Sequence, residues 1–167
     1  MLKLEDLTDL TDDEFMDHNY ITVLQEKESD EIEELDMQVN QGITRFTLMG
    51  GVLIRRYPNL KKLTIHQNYS HGSYATIDKF IDFLEGLKLE YFCLEDYQSE
   101  FITRLDVNKI FNVMIDWSTC IFNIHHNIIS KQNINDDVII NVKKNGNFTQ
   151  TFIYTKGNKS ILIVQTI

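Results

Sequence analysis

Hydrophobic positions along this chain follow two alternating rhythms. Four short stretches place apolar residues at every second position. They are IEELDMQVN (Ile32 to Asn40), LKKLTIHQN (Leu60 to Asn68), LEYFCLEDY (Leu89 to Tyr97) and TCIFNIHHN (Thr119 to Asn127). Alternation of this kind predicts a strand with one buried face. Between them the apolar spacing changes to three and four residues. In ATIDKFIDFLEGL, Ile77, Phe80, Ile81, Leu84 and Leu87 share one helical face, with Thr76 as N-cap. In LDVNKIFNVMIDW, Asp106 is the N-cap, and Val107, Ile110, Phe111, Met114 and Trp117 share a face. ITRFTLMGGVLIRRYPN reads as a weaker helix. Gly50 and Gly51 each cost about 1 kcal/mol relative to Ala in a helix interior, and Pro58 ends it before the next strand. Strand and helix in strict alternation predict a parallel sheet with helices on one side.

The four strand stretches are also spaced alike. In each, the fourth and sixth residues are apolar: Leu35 and Met37, Leu63 and Ile65, Phe92 and Leu94, Phe122 and Ile124. Leu35, Leu63, Phe92 and Phe122 follow one another at 28, 29 and 30 residues, and three of the four stretches end in Asn. This resembles the leucine-rich repeat, with its L-x-x-L-x-L-x-x-N pattern and period of about 20 to 29 residues. The second stretch meets every marked position. Tyr97 departs from the Asn position and Thr119 from the leading Leu. The resemblance spans roughly residues 32–130 and implies an α/β solenoid, with strands on a concave face and helices on a convex one. Such solenoids bind other proteins mostly through the concave face.

The segments on either side differ from the repeats. Residues 1–30 read as an acidic N-terminal cap or extension. Thr11 and Glu14 form a capping box, and Asp12 and Asp13 suit the positive end of a helix dipole. Leu4, Leu7, Leu10, Phe15 and Met16 would cover the open end of the first repeat. Residues 31–135 are the expected solenoid. Residues 136–167 read as a C-terminal antiparallel β-meander, with turns at Asn145-Gly146 and Gly157-Asn158. Either it extends the solenoid sheet or it forms a small sheet of its own. One compact domain is expected overall, since 167 residues suffice for a sizeable core.

Composition adds bounds. Hydrophobic residues make up 43%, which suits a globular fold. No apolar run is long enough for a membrane span, and MLKLEDLTDLTDDE lacks the apolar stretch of a signal peptide. A cytoplasmic location is therefore expected, with Cys93 and Cys120 as packed thiols rather than a disulfide. Charge is lopsided. Residues 1–36 carry fourteen acids against Lys3 and Lys27, which more than accounts for the formal −9 of the chain. That favours a basic protein partner and disfavours direct nucleic-acid binding. Arg55-Arg56 and Lys61-Lys62 are too small as clusters to reverse this.

No phosphate loop, nucleophile motif or paired-carboxylate pattern is present, so no catalytic residue and no cofactor is assigned. Gly50-Gly51 lies in an apolar helix, where it permits close packing. His66, Cys93 and His125 would project from one sheet face, a mixed set for a transition metal. A polar binding surface is the stronger reading, and no metal is assigned.

Alternation then names the contact surface. With Leu63 and Ile65 turned to the core, Lys62, Thr64 and His66 face the open side. The same rule gives Glu34, Asp36 and Gln38, then Tyr91, Cys93 and Glu95, then Ile121, Asn123 and His125. Tyr91 is the expected anchor, because tyrosine offers large contact area at low entropic cost. The expected function is protein–protein interaction through this face. The alternative is an acidic charge-mimic inhibitor or immunity protein, whose N-terminal run blocks a basic groove. Deleting residues 1–30 discriminates the two.

Overall fold

The computed structural model describes residues 21–23, 31–39, 46–67, 77–96, 106–114, 118–125 and 133–166. The chain alternates strand and helix through its first two thirds. A short β1 (Ile21–Val23) and β2 (Glu34–Val39) precede α1 (Phe46–Arg56). Then come β3 (Lys62–Gln67), α2 (Ile77–Gly86), β4 (Tyr91–Asp96), α3 (Val107–Val113) and β5 (Thr119–His125). Three consecutive strands follow, β6 (Ile139–Asn145), β7 (Thr149–Lys156) and β8 (Lys159–Thr166).

All of them join one mixed sheet of order β1-β2-β3-β4-β5-β8-β7-β6. β2 to β5 are parallel, as alternation with helices requires. β6 and β7 and β7 and β8 pair antiparallel, and β8 runs parallel to β5. The meander therefore extends the main sheet, through its last strand rather than its first. Its two turns carry Gly146 at φ 72° and Gly157 at φ 60°, a backbone region that costs other residues a steric clash.

The parallel strands are held in step by a backbone staircase just before each begins. Lys61 N–H donates to the Glu33 carbonyl, Glu90 to Lys61, Ser118 to Glu90 and Ser160 to Ser118, at 2.7–3.0 Å. The register puts Leu35, Leu63, Phe92, Cys120 and Ile161 on one rung, and Met37, Ile65, Leu94, Phe122 and Ile163 on the next. Every one of these side chains is buried. Here one expectation is corrected. Phe122 does not lie across from Phe92; Cys120 does, and Phe122 faces Leu94. Packing explains the offset. The small thiol fills the rung beside Phe92, while Phe122 meets Phe92 diagonally and edge-on, with centroids 6.3 Å apart.

The helices cover this buried face. α1 packs on α2, α2 on α3, and α3 on β8. Gly50 allows the first contact. A Cβ there would lie 3.2 Å from Cδ2 of Phe83, a buried ring that sits edge-on to Phe92. Phe83 thus joins Ile81, Leu84 and Leu87 in the core, so the buried face of α2 is wider than the periodic stripe implies. The side chains of Ile77 and Phe80 lie outside the described residues, as does Trp117. α3 begins as its sequence implies: Asp106 caps it by accepting from the Lys109 N–H at 3.2 Å. Of the expected N-terminal cap, residues 1–30, only 21–23 are described, and the Thr76 cap lies outside the described residues. Residues 21–23 instead form the edge strand β1, antiparallel to β2. Among the described residues no helix is long and apolar enough to cross a membrane.

Candidate functional site

Among the described residues the helices lie on one side, and none of these elements covers the other face of β2 to β5. Its side chains form three rungs fixed by strand register. Glu34, Lys62, Tyr91 and Thr119 make the first; Asp36, Thr64, Cys93 and Ile121 the second; Gln38, His66, Glu95 and Asn123 the third. Eleven of the twelve residues expected at the contact surface are on these rungs. Most are half-buried.

The centre of this face is a polar network across four strands. Nδ1 of His66 lies 2.7 Å from Oε2 of Glu95. A carboxylate can only accept, so Nδ1 is the donor. Nε2 of the same ring lies 2.7 Å from Oδ1 of Asp36, which is one rung away on β2. That oxygen is buried and receives no aligned hydrogen bond. The Asp36 contact is therefore the weaker half of the bridge, and it attracts only when the ring is protonated. On the far side, Asn123 donates from Nδ2 to Oε1 of Glu95 at 3.3 Å. The chain Asp36–His66–Glu95–Asn123 thus holds four side chains in fixed positions across about three strand spacings, or roughly 14 Å.

Beside it sit Tyr91 and Cys93. Burial first, and then its neighbour Cys93, pushes the Tyr91 phenol up to about 12. Burial, then the charge of Glu95, pushes the Cys93 thiol up to about 11. Both groups are neutral near pH 7. A protonated thiol is a weak nucleophile and a poor metal ligand, and Cys93 is buried here as a small apolar group. At the acidic edge, Lys62 pairs with Glu34 at 3.1 Å and Lys61 with Glu33 at 2.8 Å. The Glu33 carboxyl is lowered and the Lys61 ammonium raised, each mainly by the hydrogen bond between them. These exposed pairs set local charge and add little to stability.

The metal-like trio does not assemble as the sequence implies. His66 turns both ring nitrogens to carboxylates on opposite sides, so Asp36 and Glu95 do not converge on one point. Among the described residues no group of three His, Cys, Asp or Glu side chains converges as a metal set. His125 is displaced from its expected rung: it pairs with Thr166 on β8, while Asn123 takes the place across from Glu95. The reason is the fourth-strand register, two residues away from the one counted on Phe122. The His125 side chain lies outside the described residues.

Sequence reasoning passed over three members of this face. Thr119 belongs on the first rung, and Ser160 and Leu162 of β8 continue the first and second rungs past β5. Ile121, Leu162 and Ile153 then run side by side, so the second rung turns apolar at β5–β7 while Thr119, Ser160 and Thr155 keep the first rung polar. The alternating residues of β8 were a visible signal for this; its docking on β5 was not.

A separate hollow of about 330 Å³ lies on the helical side, lined by Leu53, Ile54, Tyr57, Pro58, Leu60, Gly86, Leu87, Lys88 and Leu89. Its lining has no carboxylate, imidazole or thiol, so it offers packing space and no acid–base pair. In comparisons with known proteins, the chain matches no family model, no curated protein and no solved structure.

Proposed function

We propose that this chain is a protein-interaction module, a divergent leucine-rich-repeat solenoid that binds a protein partner through the open face of β2 to β5. One observation carries the reading. Among the described residues the helices lie on one side, and the face away from them holds a pre-ordered row, Asp36–His66–Glu95–Asn123, beside the half-buried Tyr91. Side chains already fixed by one another lose little entropy when a partner arrives. Tyrosine beside ordered polar groups is a common hot-spot composition. The partner surface should be basic. Glu34, Asp36 and Glu95 lie on the same face. An arginine fork or lysine ammonium complements such carboxylates.

The test is a comparative capture from lysate of the native host, read by quantitative mass spectrometry. The baits are the full chain, Tyr91→Ala/Glu95→Ala, and Glu85→Ala, an exposed position on α2, as a control placed away from the face. A protein retained by the first and third baits and lost by the second supports the reading. Equal retention by all three overturns it. A retained partner should also wash off as salt rises, since the contact is partly ionic.

A further inference from the structure

The far edge of the sheet has its own character. β6 is the last strand in the order, and among the described residues no strand pairs with its outer side. All seven of its residues are exposed. Five large apolar side chains are exposed among the described residues. Four of them are here: Ile139 at 64%, Ile140 at 46%, Val142 at 50% and Phe148, in the following turn, at 69%. An unpaired strand edge presents a row of N–H and C=O groups that template another strand. Large exposed apolar clusters mark interaction surfaces.

The pattern of the strand selects the occupant. We propose that β6 pairs antiparallel with β6 of a second copy of this chain, about a two-fold axis at Asn141. In that register Ile140 lies across from the second copy's Val142, and Val142 from its Ile140. Within each chain Ile140 is opposite Tyr154 and Val142 opposite Phe152. The helix-side apolar rungs therefore run unbroken from one copy into the other. Charge agrees as well. Lys143 falls across from Ile139 and diagonal to the second copy's Asp137, so no two lysines oppose. Moving the axis to Lys143 would set the two Lys143 side chains face to face, and moving it to Val142 would set Ile140 against Lys144. Like charges directly across a strand pair are destabilising. The result is a closed, isologous dimer, the commonest symmetry among soluble oligomers, with one sheet running through both copies.

The experiment uses the full chain. Sedimentation or light scattering of the wild type should give twice the chain mass, with dissociation on dilution. Val142→Lys, with unchanged circular dichroism, should give the mass of one chain. Wild type that stays monomeric over the whole concentration range overturns the proposal, as does Val142→Lys that folds and stays dimeric. A second variant covers the case in which that substitution does not fold. Asn141→Cys should yield a covalent dimer on mild oxidation, because the axis brings residue 141 against itself. Cys93 at 5% exposure and Cys120 at 0% contribute no competing linkage. Absence of the Asn141→Cys cross-link also overturns the proposal.

Discussion

Gly50 and Gly51 are adjacent in one helix, and alanine at the two positions should act in opposite directions. Both substitutions gain the same helix preference, about 1 kcal/mol, so this contribution cancels in the comparison. What differs is the space for a methyl group. At Gly51 the nearest atom is the tip of Arg55, 3.2 Å away on an exposed, flexible side chain. At Gly50 it is Cδ2 of Phe83, also 3.2 Å away, but that ring is 2% exposed and wedged edge-on against Phe92 at 6.3 Å. Carbon atoms prefer about 3.5–4.0 Å, and forcing a core to yield costs about 1–3 kcal/mol. Gly51→Ala should therefore be more stable than the wild type by about 0.5–1 kcal/mol. Gly50→Ala should lie about 1–3 kcal/mol below Gly51→Ala. Urea titration followed by circular dichroism measures both, and thermal midpoints should separate by about 2–4 °C per kcal/mol. If the two variants are equally stable, the close α1–α2 approach through Gly50 is wrong.

Other expectations follow from the faces and charges of the sheet. Phe122→Ala should cost about 3–5 kcal/mol and Ile121→Ala about 1 kcal/mol or less, since adjacent residues of β5 point to the core and the open face; denaturant curves of both decide it. His66→Ala should cost about 1 kcal/mol, reduced from a buried charged bond because Asp36 is 45% and Glu95 26% exposed. A double-mutant cycle with Glu95→Ala should then return a coupling of about 0.5–1 kcal/mol, and zero coupling removes the bridge. In alkali, Cys93 shifts from its ordinary 9.0 to about 11 and Tyr91 from 10.0 to about 12. Both are raised, so the neutral forms favour the fold. Their contribution is complete below pH 9 and falls as pH rises through about 11 to 12. Stability measured from pH 8 upward should decline over that window, and less steeply in Cys93→Ala.

The polar row and the core rungs were legible in the chain to different depths. Leu35, Leu63 and Phe92 could be aligned because one buried face forces alternation and equal-length connections keep the period. Asp106 and Gly146 announced a helix start and a turn, since each residue type meets a local backbone demand. The fourth register was not legible. Cys120 and Phe122 share parity, so sliding β5 by two residues exchanges one inward side chain for another and leaves the alternation intact. That slip is what misplaced His125 and hid Thr119. The bridge of His66 to Asp36 and Glu95 was also out of reach. Its members lie about one period apart in the chain, and a diagonal contact exists only once register is known. Equally, three alternating strands with hairpin turns say nothing about which one docks on β5.

The place of β8 has a consequence for how the molecule comes together. β8 follows β6 and β7 in the chain yet is inserted between them and β5. A break in the backbone between β5 and β6 would leave two pieces meeting along the β5–β8 seam and the packing of α3 on β8. Neither piece could zip outward from its own end to completion; each waits for the other to supply the neighbouring rung. Reassembly of two such pieces, followed by circular dichroism, would report the seam directly.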